Sequence, residues 1–181
     1  SHGAPERERE GSGLLKRNFR LVMHVLVTGG AGYIGSHTCL CLLEAGHSVT
    51  VVDNLVNSKT ESLKRVLELT KGSLQFHEVD VTNFEALDAV LKGQHIDACI
   101  HFAGLKAVGE STVKPLEYYE CNVTGTLVLL KALRKHGVNR LIFSSSATVY
   151  GAADPPITEE TPTGATIPFG RTKLFIVEIL M

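Results

Sequence analysis

No apolar run in the 181 residues approaches the roughly 18 that a membrane span requires. Neither sign of charge is in excess: 18 Lys and Arg stand against 19 Asp and Glu, a formal net charge of −1. That balance excludes a polyanion-binding protein that works through bulk charge, so neither a nucleic acid nor a membrane is an expected partner. Only 6 prolines accompany 17 glycines, with no repeat period, so the chain is neither collagen-like nor low-complexity. The cysteines, Cys39, Cys41, Cys99 and Cys121, form no Cys-x-x-Cys. Cys39-x-Cys41 has no second pair with which to hold zinc, and no metal is expected. All four read as small buried hydrophobes in a reducing compartment. No apolar h-region opens the chain, so no secretory signal is expected and the cytoplasm is the expected location.

The first 22 residues differ from the rest. Glu6 to Glu10 alternates Glu and Arg between Gly and Pro residues, with almost nothing to bury. It reads as a disordered extension or an expression remnant. This segment holds five basic and three acidic residues, leaving 13 against 16, a net −3, for residues 23–181. Those are enough for one autonomous domain, since a chain of this size buries roughly two-thirds of its unfolded surface.

From Met23 onward strand and helix patterns alternate. Val25-Leu26-Val27, Val49 to Val52, Leu74 to Val79, Ala98 to Phe102 and Leu141-Ile142-Phe143 are short apolar runs of the kind buried in a parallel sheet. Between them lie helical spacings at 33–45, 62–69, 84–91 and 116–136. Ile34, Thr38, Cys41, Leu42 and Ala45 share one face of the first helix. Asn83 or Thr82 is the expected N-cap of the third. Residues 151–168 read as a long ordered loop, and a last helix starts near Phe169 and is cut at Met181. Strict alternation predicts an α/β fold, a doubly wound parallel sheet with helices on both faces.

The first strand ends in Thr28-Gly29-Gly30-Ala31-Gly32-Tyr33-Ile34-Gly35. Gly29 permits the tight turn, Gly32 lets a pyrophosphate approach the helix N-terminus, and Gly35 lets helix and strand pack closely. Asp53 ends the second strand about 20 residues on, where a carboxylate hydrogen-bonds ribose hydroxyls and repels a 2′-phosphate. Strand, turn, helix and acidic residue together predict a Rossmann fold over residues 23–181, its strands expected in order 3-2-1-4-5, that binds NAD rather than NADP.

Further motifs follow the later strands: His101-Phe102-Ala103-Gly104-Leu105-Lys106-Ala107-Val108-Gly109-Glu110-Ser111, Pro115-Leu116-Glu117-Tyr118-Tyr119, and Ser144-Ser145-Ser146-Ala147-Thr148-Val149-Tyr150-Gly151. With the glycine turn they make the chain, from Met23 to its last residue, resemble the UDP-glucose 4-epimerases, extended short-chain dehydrogenases/reductases. The resemblance implies a tightly held NAD. Tyr33 and Ile34 would follow its pyrophosphate; Asp53, Asn54, Leu55, Val56, Asn57 and Ser58 its adenosine ribose; Asp80 and Val81 its adenine edge. Phe102, Ala103, Gly104, Leu105 and Lys106 would line its middle. It implies too that Ser146 donates to the sugar 4-oxygen, with Ala147 and Thr148 bordering the sugar of a UDP-hexose. The related 4,6-dehydratases carry Asp-Glu where this chain has Ala147-Thr148, and without an acid and a base there elimination is not expected. The helices near 118–133 and 169–181 would form a homodimer, weakened here because the second is cut.

One position departs from the family. Its Tyr-x-x-x-Lys places a proton-exchanging phenol one helical turn before a lysine that lowers its pKa and holds the nicotinamide ribose. Here the lysine is Lys173 and the tyrosine position holds Phe169. The expected activity is interconversion of UDP-galactose and UDP-glucose through a 4-keto intermediate, weak or absent in this chain because Phe169 replaces the acid/base and the fold is expected to be truncated before the substrate domain. Two readings of Phe169 stay open: a change made to trap a complex, or a natural inactive variant. The alternative function is a non-catalytic NAD-binding fragment or truncated isoform.

Overall fold

The computed structural model describes residues 21–181, so all but the last two residues of the expected extension lie outside the described residues. Five parallel strands form one sheet: β1 (His24–Thr28), β2 (Ser48–Asp53), β3 (Leu74–Glu78), β4 (Ala98–His101) and β5 (Leu141–Phe143). Their order is β3-β2-β1-β4-β5, as expected for the Rossmann fold. Val25 pairs with Val49 on one side and Ala98 on the other. The order reverses beside β1, which opens a crevice at the carboxyl ends of β1 and β4.

Side chains alternate across each strand, which divides the core into two layers. On one face Val25, Val27, Val49 and Val51 pack against α1 (Tyr33–Glu44) and α2 (Glu61–Leu69) through Cys39, Leu43, Leu63 and Val66. On the other, Leu26, Val52 and Cys99 meet Leu87 and Leu91 of α3 (Phe84–Leu91) and Leu129 and Leu133 of α6 (Gly125–Lys135). Asn83 caps α3, accepting from Ala86 N–H at 3.0 Å.

Three expectations need correction. First, the single helix expected over 116–136 is three pieces: α5 (Pro115–Tyr118), a π-helical turn (Tyr119–Thr124) and α6, preceded by an unforeseen short helix α4 (Val108–Val113). Second, α1 does not bury the face of Ile34 and Cys41: its buried residues are Gly35, Ser36, Cys39 and Leu43, while Ile34 is 55% exposed. Its first turn lies so close to the end of β1 that a Cβ at Gly35 would strike the Gly29 backbone, and Gly35 and Ser36 are buried there. Third, only Cys39 and Cys99 are buried; Cys41 is exposed and Cys121 is half-buried. A 3₁₀ turn (Ala147–Tyr150) follows β5, and α7 (Pro168–Leu180) packs across α4, α5 and the π turn.

Candidate functional site

The turn after β1 is built by glycines that have no substitute. Gly29 sits at φ +70°, and a Cβ there would lie 2.6 Å from the Ala103 nitrogen. A Cβ on Gly35 would strike the Gly29 carbonyl and come within 2.7 Å of Gly30 Cα. Gly32 is the N-cap of α1 and no side chain caps that helix, so its first N–H groups and its positive dipole end are left for an anion.

Asp53, at the end of β2, is almost fully buried. Its Oδ2 accepts from Ala31 N–H at 3.0 Å; its Oδ1 accepts from Leu55 N–H at 2.9 Å and Ser58 Oγ at 2.8 Å. Leu55 takes a left-handed conformation (φ 57°), and its bond to Asp53 holds it there. A carboxylate offers about four lone-pair positions, so one remains for a ligand hydroxyl. Beside it Asn54 donates to Asp80 at 2.8 Å, and Thr82 donates to Asp80 from both N–H and hydroxyl. Burial pulls the Asp80 carboxyl upward, but these bonds outweigh it and hold it below its ordinary value.

The loop after β4 is clamped by Asn122, a buried residue of the π turn. Its Oδ1 accepts from Leu105 N–H at 2.7 Å, and its Nδ2 donates to Leu105 O and to Thr172 Oγ1, both at 3.0 Å. The amide thus joins the Gly104–Lys106 loop to the first turns of α7. Beneath the loop lies His101. Thr126 Oγ1 donates to Asn122 O at 2.6 Å, so it must accept from His101 Nε2–H at 2.8 Å. Nδ1 then accepts from Thr28 Oγ1 at 2.6 Å. Burial, and next the Lys173 charge, push the imidazole down to about 3. It is a neutral core histidine whose tautomer is fixed by its partners.

At the far end Phe169 and Lys173 stand one turn apart on α7, each 6% exposed. Lys173 Nζ donates to Ser144 O at 2.9 Å and rests 4.7 Å from the centre of the Phe143 ring. Burial pushes this ammonium down to about 8. Ser146 Oγ accepts from Thr148 N–H at 3.2 Å and Thr148 Oγ1 at 2.9 Å, which leaves its own proton free to donate. Tyr118 does not replace the missing phenol: it is fully buried and its hydroxyl is engaged by Ala107 and Glu110.

One cavity of about 250 Å³ gathers these ends. It is lined by Gly29, Gly32, Tyr33, Ile34, Gly35, Asp53, Asn54, Val56, Asn57, Val81, Phe102 to Lys106, Ser146, Phe169 and Lys173, all foreseen from sequence. Val79, Cys121, Ser144 and Ser145 line it unforeseen. Leu55, Ser58, Asp80, Ala147 and Thr148 do not reach it; Ser58, Asp80 and Thr148 instead hold the side chains of Asp53, Asn54 and Ser146. Asn122 was missed too, and its one sequence signal is a lone amide within an apolar helical stretch.

Residues 25–181 match the model of the NAD dependent epimerase/dehydratase family. The chain belongs to this family. It is 56% identical over 159 residues to the UDP-glucose 4-epimerase of Bacillus subtilis, covering 87% of this chain and 47% of that one. The Mus musculus UDP-glucose 4-epimerase is 56% identical over 164 residues, covering 86% and 47%. Among solved structures, the Bifidobacterium longum UDP-glucose 4-epimerase in complex with NAD+ and UDP superposes with a TM-score of 0.85 at 52% identity, covering 87% and 48%. The Stenotrophomonas maltophila epimerase with bound NAD and formylated UDP-arabinopyranose gives 0.85 at 46% identity, covering 87% and 47%. The chain therefore spans about half the length of the relatives it matches. Among the described residues no helix is long and apolar enough to cross a membrane.

Proposed function

We propose that the cavity holds NAD and that the fold serves epimerisation at C4 of a UDP-hexose, the interconversion of UDP-galactose and UDP-glucose. The observation that carries this reading is the single cavity that joins an uncapped glycine-turn helix and Asp53 at one end to Ser146, Phe169 and Lys173 at the other. The residues fit the cofactor: a tight turn that only glycine at 29 and 35 lets the backbone make, a free helix N-terminus for a pyrophosphate, and one open lone pair on Asp53 for a ribose hydroxyl. NAD, when bound, supplies a reversible acceptor for the hydrogen on sugar C4.

The protein's own groups do the rest. Lys173 donates one proton to Ser144 O and has two left for the nicotinamide ribose. Ser146 offers its free proton to the sugar 4-oxygen. Phe169 fills the place of the acid/base without a proton to exchange, so the 4-hydroxyl proton has no acceptor and turnover is weak or absent. That same residue favours the second reading, a non-catalytic NAD-binding chain. We propose further that the protein pairs with a second copy through α6 and α7, where Leu127 (38% exposed), Phe175 (43%) and Ile179 (45%) leave apolar side chains uncovered.

The test is conversion of UDP-galactose by the 181 residues joined to the remainder of a full-length relative, with Phe169 and with Phe169→Tyr. A positioned acid/base is worth roughly 10²–10⁴ in rate, and Phe169→Tyr should raise conversion by that factor. In the 181-residue chain alone the same substitution should give no measurable activity. Equal rates in the extended pair would mean that another residue carries the proton.

A further inference from the structure

Ser62 lies outside the cavity and outside every motif above, yet its hydroxyl reaches back 31 residues to the glycine turn. Its Oγ donates to the Ala31 carbonyl at 2.7 Å. The Lys59 carbonyl, at 3.0 Å, is the longer of two choices for a single proton. Ser62 is not the cap of α2: that position is Thr60, and no side chain caps the helix. The hydroxyl thus serves the turn rather than its own helix.

What it holds is a rigid plane. The carbonyl of Ala31 and the N–H of Gly32 belong to one trans peptide, so fixing one fixes the direction of the other. Gly32 N–H donates to Gly29 O at 3.2 Å, on the opposite edge of that plane. Gly32 O accepts the first bond of α1, from Ser36 N–H at 2.9 Å. The preceding peptide is held as well, since Ala31 N–H donates to Asp53 Oδ2. Ala31 is 4% exposed, and a buried carbonyl without a donor is costly. Gly32 has no side chain of its own to resist rotation of the plane.

We propose that Ser62 is a positioning residue for the pyrophosphate end of the cavity, setting the peptide from which the uncapped N–H groups of α1 begin. This rests on the NAD reading above.

Three proteins test it: the parent, Ser62→Ala and Ser62→Thr, each assayed for NAD binding, thermal midpoint and amide exchange at Gly32 and Tyr33 without ligand. Ser62→Ala should weaken NAD binding by about 3- to 10-fold, the worth of one neutral hydrogen bond, and lower the thermal midpoint by roughly 2–4 °C, because the Ala31 carbonyl loses its donor. Exchange at Gly32 should quicken, and Ser62→Thr should restore both readouts. Parental affinity and parental exchange in Ser62→Ala would overturn the proposal. So would an affinity loss with parental exchange at Gly32, since that marks a contact of α2 with the fold rather than an ordering of the turn. If the parent itself binds no NAD, the cofactor reading fails. The exchange comparison still decides whether Ser62 orders the turn.

Discussion

Replacing Lys173 by methionine should make the empty protein more stable at neutral pH. The ammonium is 6% exposed, and burial holds it at about 8, against an ordinary value of 10.5. A group whose value falls on folding binds fewer protons folded than unfolded between those two values. Its stability contribution is full above pH 10.5, declines as pH falls to 8, and is constant below. At 1.36 kcal/mol per pH unit, the gap amounts to about 3 kcal/mol against folding at pH 7. Methionine removes that cost but forfeits the bond to Ser144 O and the contact with the Phe143 ring, together about 2 kcal/mol. The net gain at pH 7 is about 1 kcal/mol, roughly 2–4 °C in Tm for a domain of this size. Denaturant unfolding of both proteins at pH 7, 9 and 10.5 reads it. The gain should shrink above pH 8 and reverse by pH 10.5. A variant less stable at pH 7, or a difference that ignores pH, would refute the reasoning.

Gly35→Ala should abolish cofactor binding and lower Tm by several degrees, because its Cβ meets the backbone of Gly29 and Gly30, which cannot yield; a variant with parental NAD affinity by fluorescence titration would contradict this geometry. His101 should remain neutral with its proton on Nε2 between pH 5 and 9, as imidazole nitrogen shifts will report. Because its value falls from 6.5 to about 3 on folding, it withdraws stability as pH drops through that window, and a midpoint near 6.5 would disprove the burial argument. A maleimide should label exposed Cys41 first and leave Cys39, whose thiol burial pushes up to about 12, unmodified until the fold opens; mass spectrometry of timed samples would show the opposite order if the core assignment were wrong.

The strands and the glycine turn were legible because both follow from short-range rules. Parallel strands read as continuous apolar runs, and the turn requires glycine where a Cβ would strike backbone. The buried face of α1 was not legible. Amphipathic spacing assigns the larger apolar residues to the core, whereas close approach to β1 puts Gly35, Ser36 and Cys39 inside and sends Tyr33 and Ile34 to the cavity. The π turn was invisible for a similar reason. One extra residue in a helical turn leaves the hydrophobic pattern nearly intact, yet it is what brings Cys121 to the cavity and Asn122 under the Gly104 loop. Asp53 was found by its position, but its three internal partners depend on loop geometry that spacing does not encode.

The account stands most directly on a calorimetric titration of the 181-residue protein with NAD and with NADP. In the proposed NAD complex the Asp53 carboxylate would lie against a 2′-phosphate, and two unit charges about 4 Å apart repel by roughly 4 kcal/mol at an effective dielectric of about 20. Saturable binding of NAD, with NADP at least about a hundredfold weaker, is the expected result. Equal affinities, tighter NADP, or no heat with NAD would contradict it.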